Sequence, residues 1–377
     1  HRTLTAIFNI TILDTIAITL ALIHFGTPLT YYWYMKTKHL NKPWNIKTNP
    51  NYKPKITIII PTYNEAKFIQ SKLNNIYTQN YPKNLIEIIV IDSASTDETP
   101  KLAEEWASKH RNINMKLIRE NKRKGKAHAL NHALQHATGD IVIIADADAI
   151  WPRNALKETL KWFADPIVGA VSCLKKPTGS NIKEVEENYR KYYNNLRIAE
   201  SKAWSTPIFH GELAAFRKNL LEKQGGFPTD IGADDSHIAS KIALTGYRAI
   251  IPEDLWVEEI VPNKGYFRWR IRRAQHLIQH FTKLLKLKRK TPREFKTIFK
   301  AEIYLHLFNP WMLLATTILL IISATQGSIV AITLLAIGIA TLIIKLYRMW
   351  IHQQIALMIA AIRNLWTKEL VWRKEVK

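Results

Sequence analysis

"VIIADADAIW", residues 142–151, decides how this chain is read. Val142, Ile143 and Ile144 have the character of a strand buried on both faces, yet the run ends in Asp146 and Asp148 with only Ala147 between them. Carboxylates are costly to bury unless they are paired or bind a cation. In an extended segment, residues two apart project from the same face, so both carboxylates are expected to meet one cation. A hard divalent ion takes few protein carboxylates and completes its shell with phosphate oxygens. The competing reading is a pair of turn or N-cap aspartates leading into a helix after Trp151 and Pro152.

Upstream, the sequence alternates like an α/β domain. Strands are expected at Ile56 to Ile60, Ile86 to Ile91, Met115 to Ile118 and Ile141 to Ala145, with helical spacing at Glu65 to Tyr77, Glu98 to Lys109 and Lys126 to His136. Such alternation implies right-handed crossovers and a largely parallel sheet, with ligands bound beyond the carboxyl ends of the strands. Polar residues stand at those ends: Thr62, Tyr63, Asn64 and Glu65 after the first strand, Asp92 and Ser93 after the second, Asp146 and Asp148 after the last.

The flanks differ in character. From Thr3 to Tyr34 the only formal charge is Asp14, and between Ile303 and Ile344 there is none. The first stretch is long enough to cross a hydrocarbon core, and Thr325 to Ser328 divides the second into a hairpin of two spans. Lys36, Lys38 and Lys42 follow the first span, while Lys296, Lys300, Lys345 and Arg348 flank the hairpin, which places the intervening domain in the cytoplasm. With 54 Lys and Arg against 31 Asp and Glu, the chain carries +23 and is expected to meet an anionic partner. Residues 263–304 hold 13 of those cations against Glu294 and Glu302. Leu277, Phe281, Leu284, Leu285, Phe295, Ile298 and Phe299 are interleaved there at helical spacing, as in a helix lying on an anionic membrane. Two adjacent spans argue against nucleic acid as the partner. Cys173 is the only cysteine, so no intramolecular disulfide framework exists. The chain starts at His1 rather than Met, as expected of a processed or excised chain.

Four motifs occur in a telling order: "IIIPTYNE" (58–65), "VIDSASTDET" (90–99), "GKAHALNHAL" (125–134) and "DAD" (146–148). In these the chain resembles the inverting family-2 glycosyltransferases of GT-A fold, and its flanks resemble the membrane-embedded branch of hyaluronan, chitin and cellulose synthases. The resemblance implies that Thr62, Tyr63, Glu65 and Asp92 surround the base and ribose of a nucleotide sugar, with Lys126 beside them. Asp146 is then expected to face the nucleotide and Asp148 to hold Mn²⁺ or Mg²⁺ on the diphosphate. "GADDSHIASKIALTGYR" (232–248) matches the family's acidic motif, which puts Asp235 in the place of the general base, after Asp234. Asp234 or Asp235 can equally cap the helix that follows. "FHGELAAFRK" (209–218) resembles the acceptor side, with Gly211 admitting the sugar and Glu212 near an acceptor hydroxyl. His210 and His237 flank the site and are expected to be structural rather than metal ligands. In "RWRIRRAQ" (268–275) Trp269 aligns with the family's Gln, Arg272 with its Arg and Arg273 with its Trp. Arg270, Arg272 and Arg273 are then expected at the diphosphate and Trp269 at the acceptor, while the displaced Trp puts processive synthesis in doubt.

The expected organisation is a transmembrane segment (1–40), a cytosolic GT-A, Rossmann-like α/β domain (41–262), basic amphipathic interfacial helices (263–304), a transmembrane hairpin (305–348) and an interfacial or cytosolic tail (349–377). The expected activity is metal-dependent transfer of a sugar, from a UDP-sugar by preference, to a glycan or lipid-linked acceptor at the cell membrane. One alternative is a polyprenyl-phosphate monosaccharide synthase using a GDP- or UDP-sugar. Another is a non-catalytic nucleotide-sugar-binding membrane subunit.

Overall fold

The computed structural model describes residues 10–178, 183–262, 264–287 and 292–371. Parts of three expectations lie outside them: the start of the first span, Asn263 at a proposed boundary, and 288–291 in the basic stretch. The last six residues of the tail do as well.

The chain enters as helix α1 (Ile12–Met35) and then alternates: β1 (Ile56–Thr62), α2 (Ile69–Tyr77), β2 (Ile86–Ser93), α3 (Thr99–Lys109), β3 (Asn114–Glu120), α4 (Lys126–Leu134), β4 (Ile141–Ile144) and α5 (Ala155–Leu160). These are the expected elements to within a few residues at their ends. A second half follows with β5 (Val168–Ser172), β6 (Leu174–Thr178), α6 (Lys183–Ala203), β7 (Ala214–Arg217), α7 (Lys218–Lys223), α8 (Asp234–Leu244), β8 (Arg248–Ile250) and β9 (Trp256–Ile260). The remainder is helical: α9 (Tyr266–Leu285), α10 (Arg293–Leu307), α11 (Asn309–Thr325), α12 (Ile329–Ala340) and α13 (Lys345–Arg363).

One sheet runs in the order β3-β2-β1-β4-β7-β5-β8, and β6 and β9 pair separately. The first four strands are parallel, while β7 runs antiparallel to both β4 and β5. The strand order reverses between β1 and β4, which opens a crevice at their carboxyl ends. β1, β2 and β4 are buried on both faces almost throughout, which is why they are nearly continuous Ile and Val runs. Ile56, Ile58 and Ile60 enter one core, whereas Ile59, Ile89, Ile91, Val142 and Ile144 enter the other. Because β7 is antiparallel, the pairing of Ile144 with Ala214 brings Gly211 and Glu212 to the end of β4 where Asp146 stands.

Two expectations are corrected. First, the apolar stripe of α9 and α10 does not lie open to lipid: Phe281, Leu284, Phe295 and Ile298 are buried in the same core as β4 and α8. Helical periodicity specifies an apolar face but not what covers it, so no core boundary falls at residue 263. Second, the hairpin's second arm is short. Ile329–Ile343 turns through 109° into Lys345–Arg363, and α13 then packs Ala356, Leu357 and Ala360 on Ile271, Ala274 and Ile278 of α9. Among the described residues Ile12–Leu40 is the one helix long and apolar enough to cross a membrane, and the number rises to three if each bent pair counts as one span. Asp14 is fully buried: its carboxylate accepts from the hydroxyls of Ser323 (2.7 Å) and Ser328 (2.8 Å), fastening the start of α1 to the turn between α11 and α12. At the other end of α1 the Tyr31 hydroxyl donates to Glu200 (2.8 Å) and Met35 enters the catalytic core.

Candidate active site

A cleft of about 440 Å³ opens at the carboxyl ends of β1, β2 and β4 and runs toward α6 and α9. Thr62, Tyr63, Glu65, Lys126, Asp146, Asp148, Gly211, Glu212, Asp235, Trp269, Arg270, Arg272 and Arg273 all line it. Residues spread over some two hundred positions thus share one wall.

Its first end is built from strand-end loops. Asp92 lies behind the wall rather than on it: Thr62 Oγ1 (3.0 Å) and Ser95 Oγ (2.6 Å) both donate to its carboxylate, which ties the β1 and β2 loops together. Asn64 and Ala94 reinforce that joint from left-handed conformations (φ 55° and 58°), a strain that only surrounding contacts maintain. The Asn64 amide donates to Ser95 Oγ (2.8 Å), and the Thr96 amide to Asn64 Oδ1 (2.8 Å). The Arg123 guanidinium lies over the Tyr63 ring at 3.9 Å, a flat cationic surface at the cleft edge.

The Asp-x-Asp segment is a turn, not the extended strand expected from spacing: the Ala149 amide donates to the Asp146 carbonyl (3.3 Å). Lys72 holds it from behind. This lysine is 2% exposed, donates to the Ala149 carbonyl (2.9 Å) and lies 3.9 Å over the Trp151 ring; burial pulls it down to about 7, opposed by Asp146 and Asp148. Trp151 Nε1 in turn donates to the Glu212 carbonyl (2.9 Å), coupling the turn to the β7 side. Lys72 was legible as an anomaly: it occupies the apolar stripe of α2 with Ile69, Leu73 and Ile76.

At the centre, Lys126 Nζ donates to Asp146 Oδ1 (2.7 Å). Gly211 is needed for that arrangement. A Cβ there would lie 2.9 Å from Lys126 Nζ, 3.4 Å from Asp235 Oδ2 and 3.6 Å from Asp146 Oδ2. The glycine therefore makes room for the chain's own charged groups. Asp234 and Asp235 open α8, where the helix terminus favours negative charge, and Asp235 Oδ1 accepts from the Ser236 amide (2.7 Å). Burial and the neighbouring Asp234 carboxylate nonetheless push Asp235 up to about 7 against the pull of Lys126, while Lys126 is held above its ordinary range by Asp146, Asp234 and Asp235.

The far end departs from expectation. Arg270 pairs with Glu186 (2.9 Å) and Arg273 with Glu259 (2.5 Å), so neither offers its full charge to a diphosphate. Glu212 is engaged by Lys175 (3.1 Å), and Trp269 is buried with Arg273 stacked 4.6 Å above it. Lys175 also reaches Glu259 (3.2 Å), and Arg190 joins Glu259 (2.6 Å) to Glu186 (3.1 Å). Lys175, Arg190, Glu186 and Glu259 escaped the sequence reading because their pairing spans β6, α6 and β9.

The residues fit a hard cation rather than a zinc-type ion. No group of three or more His, Cys, Asp or Glu among the described residues forms a metal cage, so the protein offers one or two carboxylate oxygens and leaves the rest to phosphate and water. His210 is outside such a set: its Nδ1 meets the Cys173 carbonyl (2.7 Å), and burial, with Lys175 nearby, keeps it well below its ordinary pKa. His237 is 2% exposed, its ring 5.6 Å from that of His280.

A doubly wound sheet with aspartates at its switch point, a strained loop joint and a buried acid pair at a helix start define a nucleotide-sugar transferase of GT-A type. The chain belongs to glycosyl transferase family 2, whose description it matches over residues 57–225. A solved structure of the mannosyltransferase PcManGT from Pyrobaculum calidifontis in complex with GDP-Man and Mn²⁺ is 54% identical, with a TM-score of 0.88, and covers 95% of this chain and 100% of that one. Poly-beta-1,6-N-acetyl-D-glucosamine synthase of Staphylococcus epidermidis is 26% identical over 271 residues, 69% of this chain and 64% of that protein. Cellulose synthase 1 catalytic subunit of Komagataeibacter xylinus is 24% identical over 270 residues, 67% of this chain and 34% of that protein. The chain thus spans less than two thirds of these two relatives.

Proposed function

We propose that this glycosyltransferase moves a hexose, with inversion, from a guanosine diphosphate donor to a glycan or lipid-linked acceptor at a membrane. The observation that carries the reading is the Lys126–Asp146 pair set against Asp235 across Gly211. The 54% identity to a mannosyltransferase holding GDP-Man and Mn²⁺ supports mannose and guanosine over the uridine donor expected from sequence.

Asp235 accepts the proton of the attacking hydroxyl as that oxygen bonds to the anomeric carbon; the bond to the diphosphate breaks, and its electron pair leaves with the nucleotide. A carboxyl pushed up to about 7 is well matched to that task near neutral pH. Tyr63 and Arg123 hold the nucleotide end, with Thr62 positioned by Asp92, and Glu65 on the same wall. Asp148, with the second oxygen of Asp146, would hold Mn²⁺ or Mg²⁺, which when bound neutralises charge on the leaving diphosphate. Arg272, which lines the cleft, is assigned to the diphosphate. The apolar flanks support a location in the cell membrane, as a multi-pass protein with the transferase domain cytoplasmic.

The test is nucleoside diphosphate release by the detergent-purified chain across guanosine and uridine donor sugars, with Mn²⁺, with Mg²⁺ and with chelator. Metal-dependent release from GDP-mannose above all others is expected. Equal silence with every donor would sink the reading.

A further inference from the structure

A second cavity, of about 830 Å³, shares no lining residue with the cleft. It forms where Pro50 to Lys53, on the approach to the amino end of β1, meet the end of α2 and the segment that follows the aspartate turn. The α/β domain builds it alone, with no lining residue from α1 or from α9 to α13. Its floor is stitched together by buried amides. Asn75 exchanges hydrogen bonds with the Trp151 backbone (2.8 and 2.9 Å), and Gln79, 2% exposed, donates to the Pro152 carbonyl (2.9 Å) and accepts from the Leu156 amide (3.2 Å). A cavity of this size on a fixed floor is in the range that holds a small molecule.

Charge gives the class of ligand. Lys53, Lys83, Arg153 and Lys157 line the cavity, and no Asp or Glu stands among the described residues that do. Among the described residues none of these four cations enters an ion pair, in contrast to Lys175, Arg190, Arg270 and Arg273 at the far end of the cleft. Lys83 is half-buried, donates to the carbonyls of Gln79 (2.9 Å) and Tyr81 (3.3 Å), and is pulled below its ordinary pKa by burial. Four like charges around one concavity repel one another, and its protein walls concentrate their field on whatever enters. Each phosphate group brings roughly 1.5 to 2 negative charges, so two of them answer four cations, and the Arg153 fork matches phosphate oxygens in pairs. We propose that this cavity binds a soluble solute bearing two or more phosphate groups, at a site separate from the one that takes the donor. The claim stands on the cavity's own residues and does not require the transferase reading. An anion on Arg153 also bears on the aspartate turn, because Trp151 belongs to the same floor and carries Lys72, which holds Ala149, over its ring.

The test is isothermal titration calorimetry of the full chain in detergent with inorganic pyrophosphate, in the presence of EDTA so that no divalent ion recruits the probe to the cleft. A saturable phase is expected whose Kd rises about tenfold in Arg153→Gln and again in Lys157→Gln, the effect of one lost charge-assisted hydrogen bond each. Arg153→Lys is expected to lose less, and Arg272→Gln, in the cleft, to leave that phase unchanged. Arg153 and Lys157 are exposed, so the variants are expected to fold, and thermal unfolding checks that they do. Absence of a saturable phase would overturn the proposal, as would binding that survives in the folded Arg153→Gln/Lys157→Gln double variant or disappears in Arg272→Gln. Repeating the titration in phosphatidylcholine nanodiscs with and without phosphatidic acid separates the two sources of phosphate. Retention of the phase in both discs supports a soluble ligand, whereas its loss when phosphatidic acid is present would assign the cavity to a lipid headgroup and overturn that claim.

Discussion

The two ends of the cleft are made differently. The nucleotide end is assembled from segments close in sequence to the strands that carry them: the β1, β2 and β4 loops, each a short motif. The far end is assembled from β6, α6, β9 and α9, and it is held by an ion network in which three glutamates answer four cations. A loop motif has a local signature because chemistry fixes the residues at adjacent positions. A network has none, because any Glu or Arg that reaches will serve. The difference teaches which half of the enzyme is free to vary its substrate without disturbing its chemistry.

The comparison breaks most sharply at the junction. Asp235→Asn is expected to lower kcat/KM by about 10³-fold, the range for loss of a general base, with the melting temperature kept; near-native turnover would remove Asp235 from the mechanism. Lys175→Met leaves Glu212 and Glu259 facing each other in a buried wall, and removing one partner of such a set is expected to cost about 3 kcal/mol of stability. Chemical denaturation checks it, and an unchanged midpoint would show that the network is solvated. Burial, opposed by Lys175 and reinforced by Glu259, already pushes Glu212 up to about 8, so part of the cost is relieved by proton uptake. The smallest effect is in pH. Asp235 must be ionised to act and is pushed up to about 7, so kcat/KM is expected to climb about tenfold per pH unit below 7 and to level above it. A flat profile from 5.5 to 8 would indicate that a bound donor or another base sets the limb.

Much of the fold was legible because β1, β2 and β4 are nearly pure β-branched runs, and parallel strands buried on both faces demand them. Thr62 and Asp146 were legible as polar residues that immediately follow such runs, whereas Asp235 was assigned through the resemblance to the family's acidic motif. The failures have a common cause. The stripe of Phe281, Leu284, Phe295 and Ile298 was read as a membrane face and is a protein core, because hydrophobic periodicity records burial and not the identity of what covers it. Arg270 and Arg273 also pair with Glu186 and Glu259, which the sequence did not show, because charge in a motif is visible and its partner is not.

By itself, then, the sequence determined the α/β class, the crevice edge and the acids that gather there, since these follow from local pattern and strand chemistry. Only the tertiary structure decided that Lys126 joins Asp146 across Gly211, that Lys72 props the aspartate turn, and that the far wall is tyrosines over paired charges. Those relations depend on distances between segments tens to more than a hundred residues apart. Long-range proximity is a property of how the elements pack, which no single segment encodes.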